Sequence, residues 1–255
     1  MKISGDFRAR VLAREWLGGT FLNLGSALTA EMAGCAGFDW LLLDHEHGPG
    51  GDETLLQQLQ AVAATPATAI VRIAENAPVR FKRALDLGAA GVMVPWVSTA
   101  DQARAAVSSL RYPPRGIRGV AKMNRACAFG ADFEAYYAHA HEWLVTLAQI
   151  ETPEGVENAA EVAGVDGVDV LFIGPMDLST SLGVSGQLEH PVYLDAVRRV
   201  AAAARNAGKA AGILALEPKQ LPLCHELGIT VVALGSDGGG VNAVLRQNAA
   251  LLRKA

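Results

Sequence analysis

The chain lacks a basic excess. Its 255 residues carry 22 Lys and Arg against 26 Asp and Glu, a net charge of −4, and no cluster of Lys or Arg stands out. A surface built to track phosphates is therefore not expected, and nucleic acid is excluded as a partner in favour of small molecules. Cysteine is scarce as well: Cys35, Cys127 and Cys224 are odd in number, far apart and outside any C-x-x-C pair. That usage argues against a disulfide framework and a thiolate zinc site, and fits a reducing cytoplasm. No uninterrupted apolar run reaches the roughly eighteen residues of a membrane span. The opening segment MKISGDFRARVLAREWLGG spreads its charges and has no apolar h-region, so neither export nor membrane insertion is expected. No linker or low-complexity tract divides the sequence, which is read as one domain over 1–255 with a single large core.

What is present is a rhythm. Short runs rich in Val, Ile, Leu or Phe lie at 20–25, 39–44, 68–73, 91–96, 144–151, 169–174, 211–216 and 230–235, most followed by a turn and an Ala- and Leu-rich stretch of helical period. Runs of this kind suit buried parallel strands, and eight βα units predict a closed (β/α)8 TIM barrel. An open doubly wound sheet is the rival, but no G-x-G-x-x-G follows the first run. Helix starts are marked by Asp52-Glu53, Pro78 and Thr152-Pro153, and Gly88, Gly164 and Gly208 stand where helices need to stop. The one long interruption, 111–130 (RYPPRGIRGVAKMNRACAFG), is predicted to be a lid or acceptor-pocket loop.

Barrel chemistry collects at the C-terminal ends of strands, so the polar residues that end these runs are the candidates. Run two leads into Asp44-His45-Glu46-His47, run three carries Arg72, run five ends in Gln149 and Glu151, and run six reaches Asp177 through Gly174-Pro175. Glu151 and Asp177 offer only carboxylate oxygens, a donor set suited to Mg²⁺ or Mn²⁺, with Co²⁺ as a further candidate. Two protein ligands leave positions for a chelating 2-oxo acid; the alternative is that each carboxylate caps a nearby helix. His47 is the candidate general base; alternatively it pins its loop, or pairs with His45 on a metal. Arg72 interrupts an apolar run and calls for an anion, either an enolate oxygen or a structural partner such as Asp44 or Glu151. Gly238–Gly240 resembles an anion nest, which a phosphate-binding barrel isomerase would use, but is read in preference as a flexible lead into the last helix.

Taken together, FDWLLLDHEHGP at 38–49, IVR at 70–72, RYPPRGIRG at 111–119, QIETPEGVEN at 149–158 and IGPMDLSTSLG at 173–183 resemble the HpcH/HpaI aldolase family, especially its 4-hydroxy-2-oxoheptanedioate aldolase branch. The resemblance implies a (β/α)8 barrel and a divalent-metal-dependent class II aldolase that reversibly cleaves 4-hydroxy-2-oxo acids to pyruvate and an aldehyde. It implies that Glu151 and Asp177 bind the metal, that Arg72 contacts the keto or enolate oxygen, and that His47 is the base. It further implies that Asp86 supports His47 from a neighbouring subunit and that Asp44 stands behind the site. Gln149 and the main-chain N–H groups of Met176 and Asp177 would hold pyruvate. A homo-hexamer is implied too, with the last helix packed on a neighbour. Met176 where alanine is usual, and the lid AKMNRACAFG, depart from the pattern on the acceptor side and leave the aldehyde open. Arg118 or Arg125 is a candidate for a distal carboxylate, or an exposed loop cation. A citramalyl- or malyl-CoA lyase is the rival within the same chemistry, ranked second because no basic pocket for a CoA phosphate is evident. No lysine ends a strand, which disfavours a Schiff base.

Overall fold

The computed structural model describes residues 3–253, so the first and last two residues of the 1–255 domain reading lie outside it. Strands form where the apolar runs lie: β1 (Leu17–Leu22), β2 (Trp40–Asp44), β3 (Thr68–Arg72), β4 (Gly91–Val94), β5 (Val145–Ile150), β6 (Val170–Ile173), β7 (Ala210–Ala215) and β8 (Ile229–Ser236). Each is parallel to the next, and β8 pairs back onto β1, closing a barrel in sequence order. Helices between the strands wrap the outside, as the (β/α)8 reading requires.

Period-two alternation sorts each strand into two cores. Leu17, Phe21, Trp40, Leu42, Ile70, Met93, Val145, Leu147, Val170, Phe172, Val231 and Ala233 fill the barrel interior. Their neighbours Leu41, Leu43, Val71, Val92, Ala148, Leu171, Ile173 and Val232 face the helical shell. The helix Asp6–Leu12 adds Phe7 and Val11 to the interior cluster, and its Arg8 pairs at 2.8 Å with Asp169, just before β6. This packing seals the barrel at the N-terminal ends of the strands.

Three expectations are corrected. The first strand starts at Leu17 rather than residue 20, because Gly18-Gly19 is strand despite its low propensity: a Cβ on Gly19 would collide with the Trp40 ring, whose Nε1 donates to Leu17 O at 3.1 Å. The helix begun at Pro153 breaks at Asn158, whose Nδ2 donates to Ser98 O at 2.9 Å, and resumes as Ala159–Ala163. Gly238–Gly240 is neither a nest nor a flexible lead. It is wound into the first turn of the helix Asp237–Leu252, where Ser236 Oγ accepts from Gly239 N at 3.0 Å.

Segment 111–130 is irregular until a 3₁₀ turn at Arg125–Gly130, in which Ala128 and Phe129 take left-handed backbone angles. Two of its arginines are employed internally. Arg118 is buried, donating to Asp86 Oδ1 at 2.8 Å and to the Tyr136 hydroxyl at 3.0 Å, with its guanidinium 4.5 Å from the Tyr112 ring centre. Arg125 donates to the main-chain oxygens of Leu87 and Leu59. Arg118 is thus no exposed loop cation, and both guanidiniums serve to root the segment rather than to await a distal carboxylate. Cys35, Cys127 and Cys224 are all free thiols.

Candidate active site

Alternation from the interior residues fixes the site. Asp44 follows Trp40 and Leu42, Arg72 follows Ile70, and Gln149 follows Val145 and Leu147, so all three project toward the barrel axis at the C-terminal end, with Glu151 one step beyond Gln149 on the same face. Asp44 and Arg72 are register partners across β2 and β3. Arg72 Nε and Nη2 donate to the two oxygens of Asp44 at 3.0 and 2.7 Å, and its guanidinium lies 5.3 Å from the Phe21 ring centre. Of the partners the sequence left open for Arg72, Asp44 is the structural one; a fork-on-carboxylate pair of this kind satisfies a buried guanidinium. Burial works against the charge on Asp44, but the hydrogen bonds and charge of Arg72 outweigh it and hold the carboxyl below its usual range.

Asp44 also accepts from the main-chain N–H groups of Glu46 and His47 at 3.1 and 3.2 Å, which shapes the loop leaving β2. Within that loop the two histidines part. His45 Nε2 lies 3.1 Å from Gln58 Oε1 on the neighbouring helix, whereas the His47 side chain is 65% exposed above the barrel mouth. A His-x-His pair on one metal does not form, because the chain bends after Asp44 instead of continuing extended. The imidazole of His47 is 3.9 Å from Glu46 Oε2, and the same oxygen is 3.0 Å from Arg72 Nη1. Glu46 had no assigned role in the sequence; it lies past the end of β2, in the bend, where strand alternation gives no signal for its position.

Glu151 is 1% exposed and turned inward. The helix after it is capped by Thr152, whose Oγ1 accepts from Gly155 N at 2.9 Å, so helix capping does not account for Glu151. Its Oε1 accepts from Gln149 Nε2 at 2.6 Å and its Oε2 from the main-chain N–H of Trp96 at 3.1 Å. Trp96 donates from a left-handed backbone (φ 56°), a strained conformation for a residue with a large side chain, and nothing in the sequence announced it. Burial pushes the Glu151 carboxyl up, and the charges of Asp177 and Glu46 add to this against the Trp96 N–H and Arg72, bringing it to about 7. Asp177 sits in the first turn of Pro175–Ser181, beside the half-exposed Met176. Gly174, the N-cap, has no side chain to offer the N–H groups of that turn. Ser181, at the other end of the helix, donates its hydroxyl to Glu151 O at 2.7 Å and so ties it to the end of β5.

Asp86 is the one site candidate that lies apart, paired with Arg118 on the outer shell. The remaining residues gather four carboxylates, Asp44, Glu46, Glu151 and Asp177, around one guanidinium. Asp44 is neutralised by Arg72, which leaves an anionic pocket in which Glu151 resists ionisation and Gln149 Oε1 is buried without a hydrogen-bond partner. A divalent cation held by Glu151 and Asp177 fits this donor set and would relieve the repulsion. No group of three or more His, Cys, Asp or Glu residues that could hold a metal directly occurs among the described residues, so a cation held by Glu151 and Asp177 would keep positions open to water or substrate. A cavity of about 620 Å³ opens at the other end of the barrel, lined by Arg10, Asp39 and Cys35 among others. It receives none of these groups, and the strand-end cluster is the chemically equipped place.

A closed parallel barrel with carboxylates and a guanidinium gathered at its C-terminal mouth is the architecture of a barrel enzyme. The family model for HpcH/HpaI aldolase/citrate lyase matches residues 18–243, and the chain belongs to that family as an enzyme of the aldolase and lyase class. It is 39% identical over 248 residues to a 5-keto-4-deoxy-D-glucarate aldolase of Klebsiella pneumoniae, covering 97% of this chain and 96% of that one. Among solved structures it is similar to an HpcH/HpaI aldolase/citrate lyase family protein of Burkholderia cenocepacia, with TM-score 0.93, 37% identity and coverage of 98% and 100% of the two chains. An HpcH/HpaI aldolase of Desulfitobacterium hafniense matches with TM-score 0.89 and 26% identity over 97% and 96%.

Proposed function

We propose that the chain is a divalent-cation-dependent aldolase that reversibly cleaves 4-hydroxy-2-oxo acids into pyruvate, or a related 2-oxo acid, and an aldehyde. The observation that carries this reading is the buried Glu151 carboxylate, pushed up to about 7 beside Asp177 and Glu46, with the orphaned Gln149 Oε1 next to it. Glu151 and Asp177 would hold Mg²⁺ or Mn²⁺, with Co²⁺ a further option. When bound, the cation supplies Lewis-acid stabilisation for negative charge on a 2-oxo acid.

The chain's own residues do the rest. The N–H groups of Met176 and Asp177, uncapped at Gly174, and the amide of Gln149 orient the substrate carboxylate. His47, exposed at the mouth, takes the proton of the 4-hydroxyl; the C3–C4 bond breaks, the aldehyde leaves, and its electron pair forms the pyruvate enolate. Two of Arg72's five N–H groups are bonded to Asp44 and Nη1 stands 3.0 Å from Glu46, and the N–H groups left over donate to the enolate oxygen. Synthesis runs the same parts in reverse. Asp86 supports His47 of a neighbouring copy in this reading, and Arg118 holds its carboxylate meanwhile.

The substrate named for the Klebsiella relative, counted from its keto end, is a 2-oxo, 3-deoxy, 4-hydroxy acid, which agrees with this bond cleavage and favours a hydroxylated tail over a plain heptanedioate. A homo-oligomer, a hexamer by resemblance, is supported by the helix Asp237–Leu252, which buries no residue of its own and exposes Val241, Val244, Leu245, Leu251 and Leu252. A single domain over 1–255, supported by the one closed barrel, and a cytoplasmic setting complete the reading; among the described residues no helix is long and apolar enough to cross a membrane.

The test is pyruvate release from 4-hydroxy-2-oxo acids of differing tail by chelator-treated protein, with Mn²⁺ or Mg²⁺ added back, alongside Glu151→Ala and His47→Ala. Release restored by the cation and lost in both variants is expected. Release indifferent to chelation and to both substitutions would overturn the reading.

A further inference from the structure

Glu46 is the one carboxylate at the barrel mouth without a task. Its side chain is 11% exposed, yet no donor among the described residues reaches either oxygen in hydrogen-bonding geometry. Its contacts are charges alone, Arg72 Nη1 at 3.0 Å and His47 Nε2 at 3.9 Å, both on Oε2. Oε2 is buried and met by these charges without a hydrogen bond in good geometry, which leaves Oε1 free to accept from a donor that is not part of the chain.

The surroundings say which donor. Asp44 takes two of Arg72's nitrogens, so Glu46 shares only the third. The fields of Asp44 and Asp177 reach Glu46, and Glu46 in turn acts on Glu151. It therefore lies near the two carboxylates assigned to the cation, close enough for their charges to act on one another. It does not join them as a ligand, since no three such groups among the described residues converge closely enough to hold a metal. A cation such as Mg²⁺ keeps several waters, and those waters are donors at the distance of an outer carboxylate.

We propose that Glu46 is the outer anion of the cation site: it accepts a hydrogen bond from the cation's hydration shell while its other side holds Arg72 and the imidazole of His47. This rests on the aldolase reading above. Glu46 is a positioning residue, through which an occupied cation site and the two groups that handle the proton and the enolate are held in one arrangement.

Isothermal titration of the full chain with Mn²⁺ alone, without substrate, tests it in the wild type, Glu46→Gln, Glu46→Asp and Glu151→Gln. Glu46→Gln, equal in shape but uncharged, is expected to weaken Mn²⁺ binding on the order of 10- to 100-fold, the usual effect of removing an outer partner of a metal site, and Glu46→Asp by less. Mn²⁺ affinity within about twofold of wild type in both Glu46 variants, while Glu151→Gln loses binding, overturns the role of Glu46 and leaves the cation site standing. A raised KM for the 2-oxo acid with unchanged Mn²⁺ affinity overturns it too, since the donor would then be substrate. Failure of the wild type to bind Mn²⁺, or indifference of Glu151→Gln, overturns the cation reading itself.

Discussion

Gly174 and Glu151 touch in a way that only glycine permits: a Cβ on Gly174 would run into Glu151 Oε1 and stand 2.8 Å from Gln149 Nε2. The backbone there is ordinary (φ −89°), so the constraint is wholly steric.

Gly174→Ala therefore separates site geometry from backbone strain. Overpacking of this kind costs about 1–3 kcal/mol, and with the carboxylate displaced Mn²⁺ binding should weaken about tenfold or more. Urea unfolding and Mn²⁺ titration read the two effects. Wild-type affinity in a folded Gly174→Ala protein would show that Glu151 does not need its present position.

The raised Glu151 carboxyl gives a pH signature in cation-free protein. Its folded value, about 7, lies above the ordinary 4.5, so the folded state favours the protonated form. The associated stability is fully present below about pH 4.5 and is lost as pH rises toward 7, on the order of 3 kcal/mol in all. Urea melts with chelator from pH 4.5 to 8 should show Glu151→Gln gaining on the wild type across that window. Parallel curves would mean that burial and the neighbouring Asp177 and Glu46 do not press on this group.

Arg118 makes the third case. Its guanidinium is enclosed by Tyr112 and Tyr136 and bonded to Asp86. Arg118→Met leaves the Asp86 carboxylate unpaired and should destabilise by roughly 3 kcal/mol, while Arg118→Lys, which keeps the charge but not the fork, should lose less. An unfolding midpoint unchanged in Arg118→Met would refute the anchoring role.

The barrel was legible because buried parallel strands announce themselves as apolar runs, and the strand-end candidates because charge is conspicuous where such runs stop. Glycine hid the start of β1, since Gly19 makes room for the Trp40 ring and neither Gly18 nor Gly19 carries strand propensity. The partners of Arg118 and Arg125 were hidden because a loop cation in sequence looks the same whether it meets solvent, a pair of tyrosines or main-chain oxygens. Trp96 was invisible: its contribution is a main-chain N–H, which every residue but proline carries, aimed by a backbone angle that no residue pattern encodes. Glu46 stood in plain view, but it lies past the end of β2, where the chain bends and alternation no longer says which way a side chain points.

The bond from Ser181 Oγ to Glu151 O links the tip of β5 to the helix bearing Asp177. Drift of that helix away from the end of β5 then requires breaking this link. Substitutions elsewhere, in segment 111–130 for example, leave this tie between the two carboxylate-bearing elements uncut.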